Sequence, residues 1–360
     1  MNPSMSKKKK ALIALLAAAF LALAALVLVM FFSRFEQRHE AVPAGAGLSV
    51  SRTEQEAPAA ESMAAGDGDI SLDDDSVIFN TLYYNGRQYV YNDALTTLLV
   101  LGIDDDELIE AASSRNTSQA DFLLLAVFDS ENRQCTMIQL NRDTMTDVPA
   151  LDTFGNIIGL RNEQLALAHT YGNGLERSCE NTVDAVSRLL YGIKIDNYFA
   201  LTMDAIPVLN DLVGGVTVTV EDDFSEADPT LIQGETVTLT AENVENYVRL
   251  RIDVGDGTNL ARMRRQQEYL TGLLASLKRA SEEDSSFVLE AYSAVASSLV
   301  TDCTIDDLSA YAESFSDYTL TEILTPAGEA VKGEKFMEFY VDESVLQKLV
   351  IDTFYVDVTQ

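Results

Sequence analysis

Five arginines stand between positions 249 and 265: Arg249, Arg251, Arg262, Arg264 and Arg265. Only Asp253 and Asp256 oppose them in that window, a local net charge of +3. A guanidinium stays charged at any physiological pH and presents a planar fork that fits phosphate oxygens. The spacing groups them. Arg249 and Arg251 are two apart and share a face if the segment is extended. Arg262 and Gln266 are four apart and stack on one face of a helix. A solvated basic helix face paired with nearby acids is the plainer alternative.

Two further groups carry chemistry. Asn141-Arg142-Asp143-Thr144 follows an apolar run directly, and ligand groups often sit at the carboxyl ends of strands in α/β sheets. The plainer reading is a turn with a local Arg142–Asp143 ion pair. Asp104 ends one apolar run and Asp121 begins the next. Paired carboxylates are hard oxygen ligands that suit Mg²⁺, which keeps several waters and also takes substrate phosphate. Turn capping is the alternative. The only histidines are His39 and His169. His169 lies in an apolar run, a setting more often structural than catalytic, so no Ser-His-Asp arrangement is supported. Cys135, Cys179 and Cys303 are too far apart for a zinc site and form no disulfide framework. Three buried thiols are expected.

These residues need a scaffold. Val77 to Asn92 has two β-type runs around Asn85-Gly86, a strong hairpin turn signal. Short apolar runs at 97–102, 121–128 and 135–140 read as buried strands, the last two joined by a polar turn at 129–134. Helical spacing appears at 161–172, 175–191 and 199–213, the last stopped by Gly214-Gly215. Residues 216–220 alternate as a strand, and 240–247 and 259–279 read as helices. Beyond 281, Thr304 and Asp307 have capping-box spacing, 335–341 reads as a strand, and Asp342 is placed to cap a last helix. Alternating strands and helices predict an α/β sandwich with a central mixed sheet, occupying residues 93–360.

The 360-residue chain has a formal charge of −32, which opposes non-specific nucleic-acid binding. Its charge is uneven. Residues 1–38 carry six basic residues and one acid, whereas 39–360 carry 19 basic and 56 acidic ones, a net of −37. Ala11 to Phe32 is an unbroken apolar run of 22 residues behind Lys7 to Lys10. At about 1.5 Å per residue such a helix crosses a bilayer core of about 30 Å. The flanking lysines place residues 1–10 in the cytoplasm and the rest outside, on a single-pass anchor at the cell membrane. Its length and the basic residues just after it argue against a cleaved signal peptide. Residues 33–76 read as a flexible acidic linker. Outside the cytoplasm ATP is absent, so any group transfer there needs a substrate that is already activated.

Motif order now becomes informative. LLVLGID at 98–104, AD at 120–121, LNRDT at 140–144, LAHTYG at 167–172, DLVGGVTVTV at 211–220, YVRLR at 247–251 and LARMRRQQ at 260–267 together resemble the LytR-CpsA-Psr family of cell-envelope proteins. The resemblance is firmest over 97–280. It implies an α/β/α sandwich with a hydrophobic groove. It also implies transfer of a glycopolymer from an undecaprenyl-pyrophosphate carrier to peptidoglycan, leaving a phosphodiester. By that resemblance Asp104 and Asp121 sit at Mg²⁺, and Arg142, Arg249, Arg251, Arg262 and Gln266 hold the pyrophosphate. Asp121 or Asp143 is then the candidate general base, with His169 the other candidate, beside Arg142 as a catalytic residue. The sequence departs from the family pattern at Ile103, Gln119 and Phe122. It also does so at Asn141, where Pro is usual, and at Asn259, where an acid is common. A non-catalytic holder of lipid-pyrophosphate-linked polymer would use the same arginines and stays open at this point.

Overall fold

The computed structural model describes residues 81–359 except 109, 112–114, 285–286, 305, 308–309, 312–313 and 315–317. The expected tail, anchor and linker lie outside the described residues. Among the described residues no helix is long and apolar enough to cross a membrane.

The first hairpin pairs β1 (Thr81–Tyr84) with β2 (Arg87–Tyr91). Asn85 and Gly86 both take positive φ, as a type I′ turn requires. Next come β3 (Leu95–Ile103), β4 (Ala120–Asp129) and β5 (Gln134–Leu140), consecutive antiparallel neighbours in register Leu99↔Leu125↔Ile138. Asp129 caps the turn between β4 and β5 by accepting from the Glu131 and Asn132 amides. β6 (Met145–Leu151) and β7 (Ile157–Gln164) form a separate hairpin. Helix α1 (Glu176–Leu189) leads to β8 (Asn197–Thr202), which runs parallel to β3. Helix α2 (Ala205–Leu212), the small pair β9 (Thr217–Thr219) and β10 (Thr236–Thr238), and helices α3 (Val244–Arg249), α4 (Asn259–Glu283) and α5 (Phe287–Val295) follow. The chain then adds β11 (Leu299–Thr301), β12 (Thr319–Leu324), a hairpin of β13 (Gly328–Lys332) and β14 (Met337–Val341), α6 (Glu343–Phe354) and β15 (Tyr355–Asp357). β15 pairs with β2.

The central sheet has six strands in the order β11-β8-β3-β4-β5-β12. β3–β8 and β5–β12 are parallel and the other pairs antiparallel, so the sheet is mixed. Side chains along β3 and β4 alternate between two cores, one per face. Leu98, Leu124 and Phe128 join Phe199, Leu209, Tyr247, Tyr269 and Leu273 on one face. Leu99, Leu101, Leu123 and Leu125 join Val186, Leu190 and Phe354 on the other. That double burial is why β4 reads as the unbroken apolar run Phe122-Leu-Leu-Leu-Ala-Val-Phe128. Each fully buried leucine contributes about 1.5–3 kcal/mol.

Several expectations change. Residues 161–172 are not a helix: β7 occupies 157–164, and a 3₁₀ segment, Leu165–Thr170, follows. The helical-looking spacing there came from that short turn, which buries Leu165, Ala166, Ala168 and His169. The 199–213 segment divides into the end of β8 and helix α2, with β8 held between β3 and β11. All three cysteines are free, but Cys303 is half-buried rather than buried. Asp342 does cap α6, accepting from the Ser344 and Val345 amides.

Candidate functional site: an arginine-carboxylate cluster at the head of an apolar groove

The site forms where β3, β4 and β5 present one end of the sheet. β3 stops at Ile103, so Asp104 stands just beyond it, its amide bonded to the Gln119 carbonyl at 2.7 Å. Asp121 is the second residue of β4 and is buried. β5 ends at Leu140, and the turn Asn141–Thr144 carries Arg142 and Asp143, both buried. Helix α4 starts at Asn259, with the Thr258 hydroxyl accepting from the Ala261 amide, and delivers Arg262 and Gln266 from one face. The two predicted pairs thus converge with the distant turn.

Asp121 is the hub. Its Oδ1 accepts from Arg142 Nη1 and its Oδ2 from Arg262 Nη1 at 3.0 Å. Arg142 Nη2 also donates to Gln119 Oε1, the residue at one of the unusual positions. Arg249 closes α3 and bridges Asp104 and Glu245, each at 2.5 Å. Arg251 follows that helix and reaches Asp143 Oδ2 at 3.4 Å. An extended Arg249–Arg251 segment is therefore corrected: Arg249 is helical, and extended backbone begins at Leu250. Four arginines (142, 249, 251, 262) face four carboxylates (104, 121, 143 and Glu245), so the cluster is formally neutral.

Burial sets the electrostatics. It pushes the Asp143 carboxyl above its ordinary value, against the lowering effect of Arg142, Arg251 and Arg262. Asp104 is raised by burial and by the Asp121 charge, with Arg249 and Arg142 opposing. Burial lowers Arg262, which Asp121 offsets. Two donors make no hydrogen bond: the Nε–H groups of Arg142, 3.6 Å from Asp143 Oδ1, and of Arg262, both shielded from solvent. Buried donors are almost always satisfied, so a pair of orphans in one cluster marks a place for an acceptor.

Gln266 lines the groove, but its amide is engaged with the Val248 carbonyl at 3.2 Å and with Gln139 at 3.3 Å. Arg264 is exposed. Arg265, a weaker candidate on spacing, is buried and donates to the carbonyls of Tyr247 and Leu250 and to Asp222. It fixes the segment that carries Arg249 and Arg251. Gln164 was not singled out by its sequence context. Its amide bridges Asp143 Oδ1 at 2.8 Å and the Met337 carbonyl at 2.7 Å, while the Phe339 amide bonds the Asp143 carbonyl at 2.8 Å. The β13–β14 hairpin therefore braces the Arg142-Asp143 turn from nearly 200 residues downstream.

His169 is buried, with Nδ1 3.1 Å from the Ser118 carbonyl, and burial lowers its pKa to about 4. Cys179 Sγ lies 3.8 Å from its Nε2, but burial pushes that thiol far up. The pair is a neutral packing contact, not an activated nucleophile.

A groove runs from Arg249, Arg262 and Gln266 between the sheet and α4. Its walls are Val100, Phe122, Phe199, Leu201, Ile206, Leu209, Tyr269, Leu270, Leu273, Leu274 and Leu277. It encloses about 1050 Å³, part of it open to solvent. Gly102 helps create it: a Cβ there would meet Phe122 Cβ at 2.9 Å. Of the apolar segments at 161–213, only the part from Phe199 to Leu209 lines this groove, and α4 supplies much of the rest.

The α/β fold thus places an arginine–carboxylate cluster at the head of an apolar groove. The model of the LytR_cpsA_psr family matches residues 66–349, and the chain belongs to that family. The polyisoprenyl-teichoic acid–peptidoglycan teichoic acid transferase TagU of Enterococcus faecalis is 28% identical over 214 residues, 59% of this chain and 63% of that protein. Biofilm regulatory protein A of Streptococcus mutans is 26% identical over 208 residues, 54% of this chain and 47% of that one. The chain thus spans less than two thirds of these relatives. The solved structure described as TagT bound to LIIa-WTA has a TM-score of 0.54 at 20% identity, covering 72% of this chain and 90% of that one, and shows the same fold.

Proposed function

We propose that this protein is a membrane-anchored phosphotransferase that moves a glycopolymer from an undecaprenyl-pyrophosphate carrier to peptidoglycan. The observation that carries this reading is the arginine cluster at the head of an apolar groove: Arg249 and Arg262 line the groove, and Arg142 joins Arg262 through Asp121. An anionic diphosphate suits the guanidinium cluster, and a polyprenyl tail suits the groove walls. The name of the E. faecalis relative, a teichoic acid transferase acting between a polyisoprenyl carrier and peptidoglycan, points the same way.

Asp104 and Asp121 are the residues that would hold Mg²⁺. The donor set fits. The two carboxylates are close enough for the charge of one to raise the pKa of the other. Among the described residues no group of three or more His, Cys, Asp or Glu side chains is placed to hold a metal. When bound, the ion supplies positive charge that the formally neutral cluster lacks.

In this reading Arg142 and Arg262 bind the diphosphate from below, and Arg249 and Arg251 close on it from the rim. Their preorganised charge stabilises what develops on the transferring and leaving oxygens. A peptidoglycan hydroxyl attacks the sugar-linked phosphorus, and undecaprenyl phosphate leaves. Asp143 serves as general base. Both Asp121 oxygens are taken by guanidinium groups, whereas in the buried Asp143, whose pKa is raised, Oδ1 is held by Gln164 at 2.8 Å and Oδ2 meets only the long 3.4 Å contact from Arg251. Mass spectrometry of lipids retained by the purified full-length protein tests the binding half. Polyprenyl phosphates or pyrophosphates are expected with wild type and depleted in Arg251→Ala, a half-exposed change that spares the buried hub. Their absence from wild type overturns the assignment of the groove.

A further inference from the structure

Two buried asparagines connect the segments that carry Arg142 and Arg262. Asn141 precedes Arg142 at the end of β5, and Asn259 is the first residue of α4, one turn before Arg262. They are 4% and 8% exposed. Asn259 Nδ2 donates to Asn141 Oδ1 at 2.7 Å. The same Asn141 oxygen accepts from the Asp143 amide at 2.9 Å. Asn259 Oδ1 accepts from Arg262 Nη2. The relay is continuous from the Asp143 backbone, through both side-chain amides, to the Arg262 guanidinium.

Its polarity is fixed by its ends. A backbone N–H and a guanidinium can only donate. Each end therefore needs an acceptor, and the two side chains can meet only if one of them also donates. Asn259 is that one. Asn141 is used purely as an acceptor. The two positions are chemically unequal although the residues are identical.

We propose that Asn141 and Asn259 are positioning residues whose amide bridge holds the Arg142-Asp143 turn and Arg262 in register for a bound diphosphate. The inference rests on the reading of the cluster as a diphosphate site. Neither asparagine touches the reacting atoms in this scheme. Without the bridge, Arg262 keeps its bond to Asp121 but loses the acceptor that sets its second amino group, and the turn loses the cap on the Asp143 amide. Buried polar groups left unmade in this way correspond to a loss of about 10- to 100-fold in a binding constant.

The inequality of the two positions gives the test. Asn141→Asp keeps both acceptor bonds. Asn259→Asp sets two acceptor oxygens against each other at 2.7 Å. Both variants add the same charge to the same cluster, so the ratio of their affinities reads the bridge and not the charge. Full-length protein in detergent is titrated calorimetrically with inorganic pyrophosphate, and transfer from a lipid-pyrophosphate glycopolymer to peptidoglycan is assayed in parallel. Thermal unfolding confirms that each variant is folded. The expected result is about 10- to 100-fold weaker binding for Asn259→Asp than for Asn141→Asp. Asn141→Ala and Asn259→Ala should each weaken binding, and because both lose the one shared bond, the double variant should fall short of the product of the two single effects. That alanine cycle carries the comparison should Asn259→Asp fail to fold. Equal affinities for the two aspartate variants, or alanine effects that simply multiply, overturn the bridge. If wild type transfers polymer and the effects are equal or multiply, the bridge alone falls. If wild type binds pyrophosphate with the expected inequality but does not transfer, the bridge stands and the transferase reading falls. Absence of both binding and transfer in wild type overturns both.

Discussion

Replacing Asp121 with Asn separates the cost of the cluster from its use. In the wild-type chain Asp121 accepts from Arg142 and from Arg262, whose side chains are 10% and 4% exposed. Asparagine keeps the shape but removes the charge and turns one oxygen into a donor. One guanidinium then faces an N–H group, and two buried cations lose their shared counter-ion. Breaking a buried ion pair from one side costs about 3–5 kcal/mol. For a domain of this size each kcal/mol moves Tm by about 2–4 °C, so a fall of roughly 10 °C is expected. The same change opens the site to anions, because the carboxylate no longer competes for the guanidinium forks. Inorganic pyrophosphate should therefore raise the Tm of Asp121→Asn by more than it raises that of wild type. Differential scanning calorimetry with and without pyrophosphate reads both effects. An unchanged Tm, or an equal pyrophosphate shift in the two proteins, would refute the hub role of Asp121.

Other outcomes follow from the same geometry. Leu270→Asn places an amide in the half-buried groove wall and should weaken a long-tailed polyprenyl donor by about tenfold, the worth of one lost apolar contact. Pyrophosphate affinity should not change, and equal losses for both ligands would detach the groove from the tail. Because burial raises Asp143, protonation as pH falls should remove the base at a pH above the ordinary carboxylate range. The acidic limb of kcat/KM should sit there, and a limb at the ordinary value would argue against Asp143. His169 has its folded pKa lowered to about 4 by burial, against about 6.5 when unfolded. The unfolded chain thus binds the proton first, and stability is lost as pH falls from about 6.5 toward 4, by about 3 kcal/mol in full. His169→Asn should flatten urea-denaturation stability across that window, and an unchanged slope would contradict the neutral, buried assignment.

Much of this architecture was readable from local pattern. Strands β3, β4 and β5 are short apolar runs because the sheet is covered on both faces, and the turn at 129–134 is polar because it leaves the sheet. The convergence of Asp104, Asp121, Arg142 and Arg262 was legible only through motif order, since no spacing rule brings β4 to α4. The hairpin arm was misread. Residues 157–162 are exposed on both sides, so β7 carries no alternation, and Pro149 in β6 masks its partner. Proline there is tolerated because β6 and β7 form their own two-stranded sheet, outside the central one. Gln164, Asn259 and Arg265 act through bonds to backbone or side chains far away in sequence, to Met337, Asn141 and Leu250. Nothing in the immediate neighbours of Gln164 and Asn259 distinguishes them from ordinary surface polar residues, and the arginine-rich window around Arg265 pointed to phosphate rather than to the backbone carbonyls it holds. Family resemblance marked position 259 as unusual, but not what it would meet.

Transfer itself is the claim on which the rest depends. Full-length protein is incubated with undecaprenyl-pyrophosphate-linked glycopolymer, Mg²⁺ and peptidoglycan, and phosphodiester-linked product is quantified beside released undecaprenyl phosphate. The two should appear in equal amounts with wild type. Arg251→Ala, which removes a rim charge 3.4 Å from Asp143, should lower the rate about 10²- to 10³-fold while remaining folded. Tight retention of the lipid without product would make the protein a holder, and undecaprenyl phosphate released without attached polymer would make it a hydrolase. Either result contradicts a phosphotransferase.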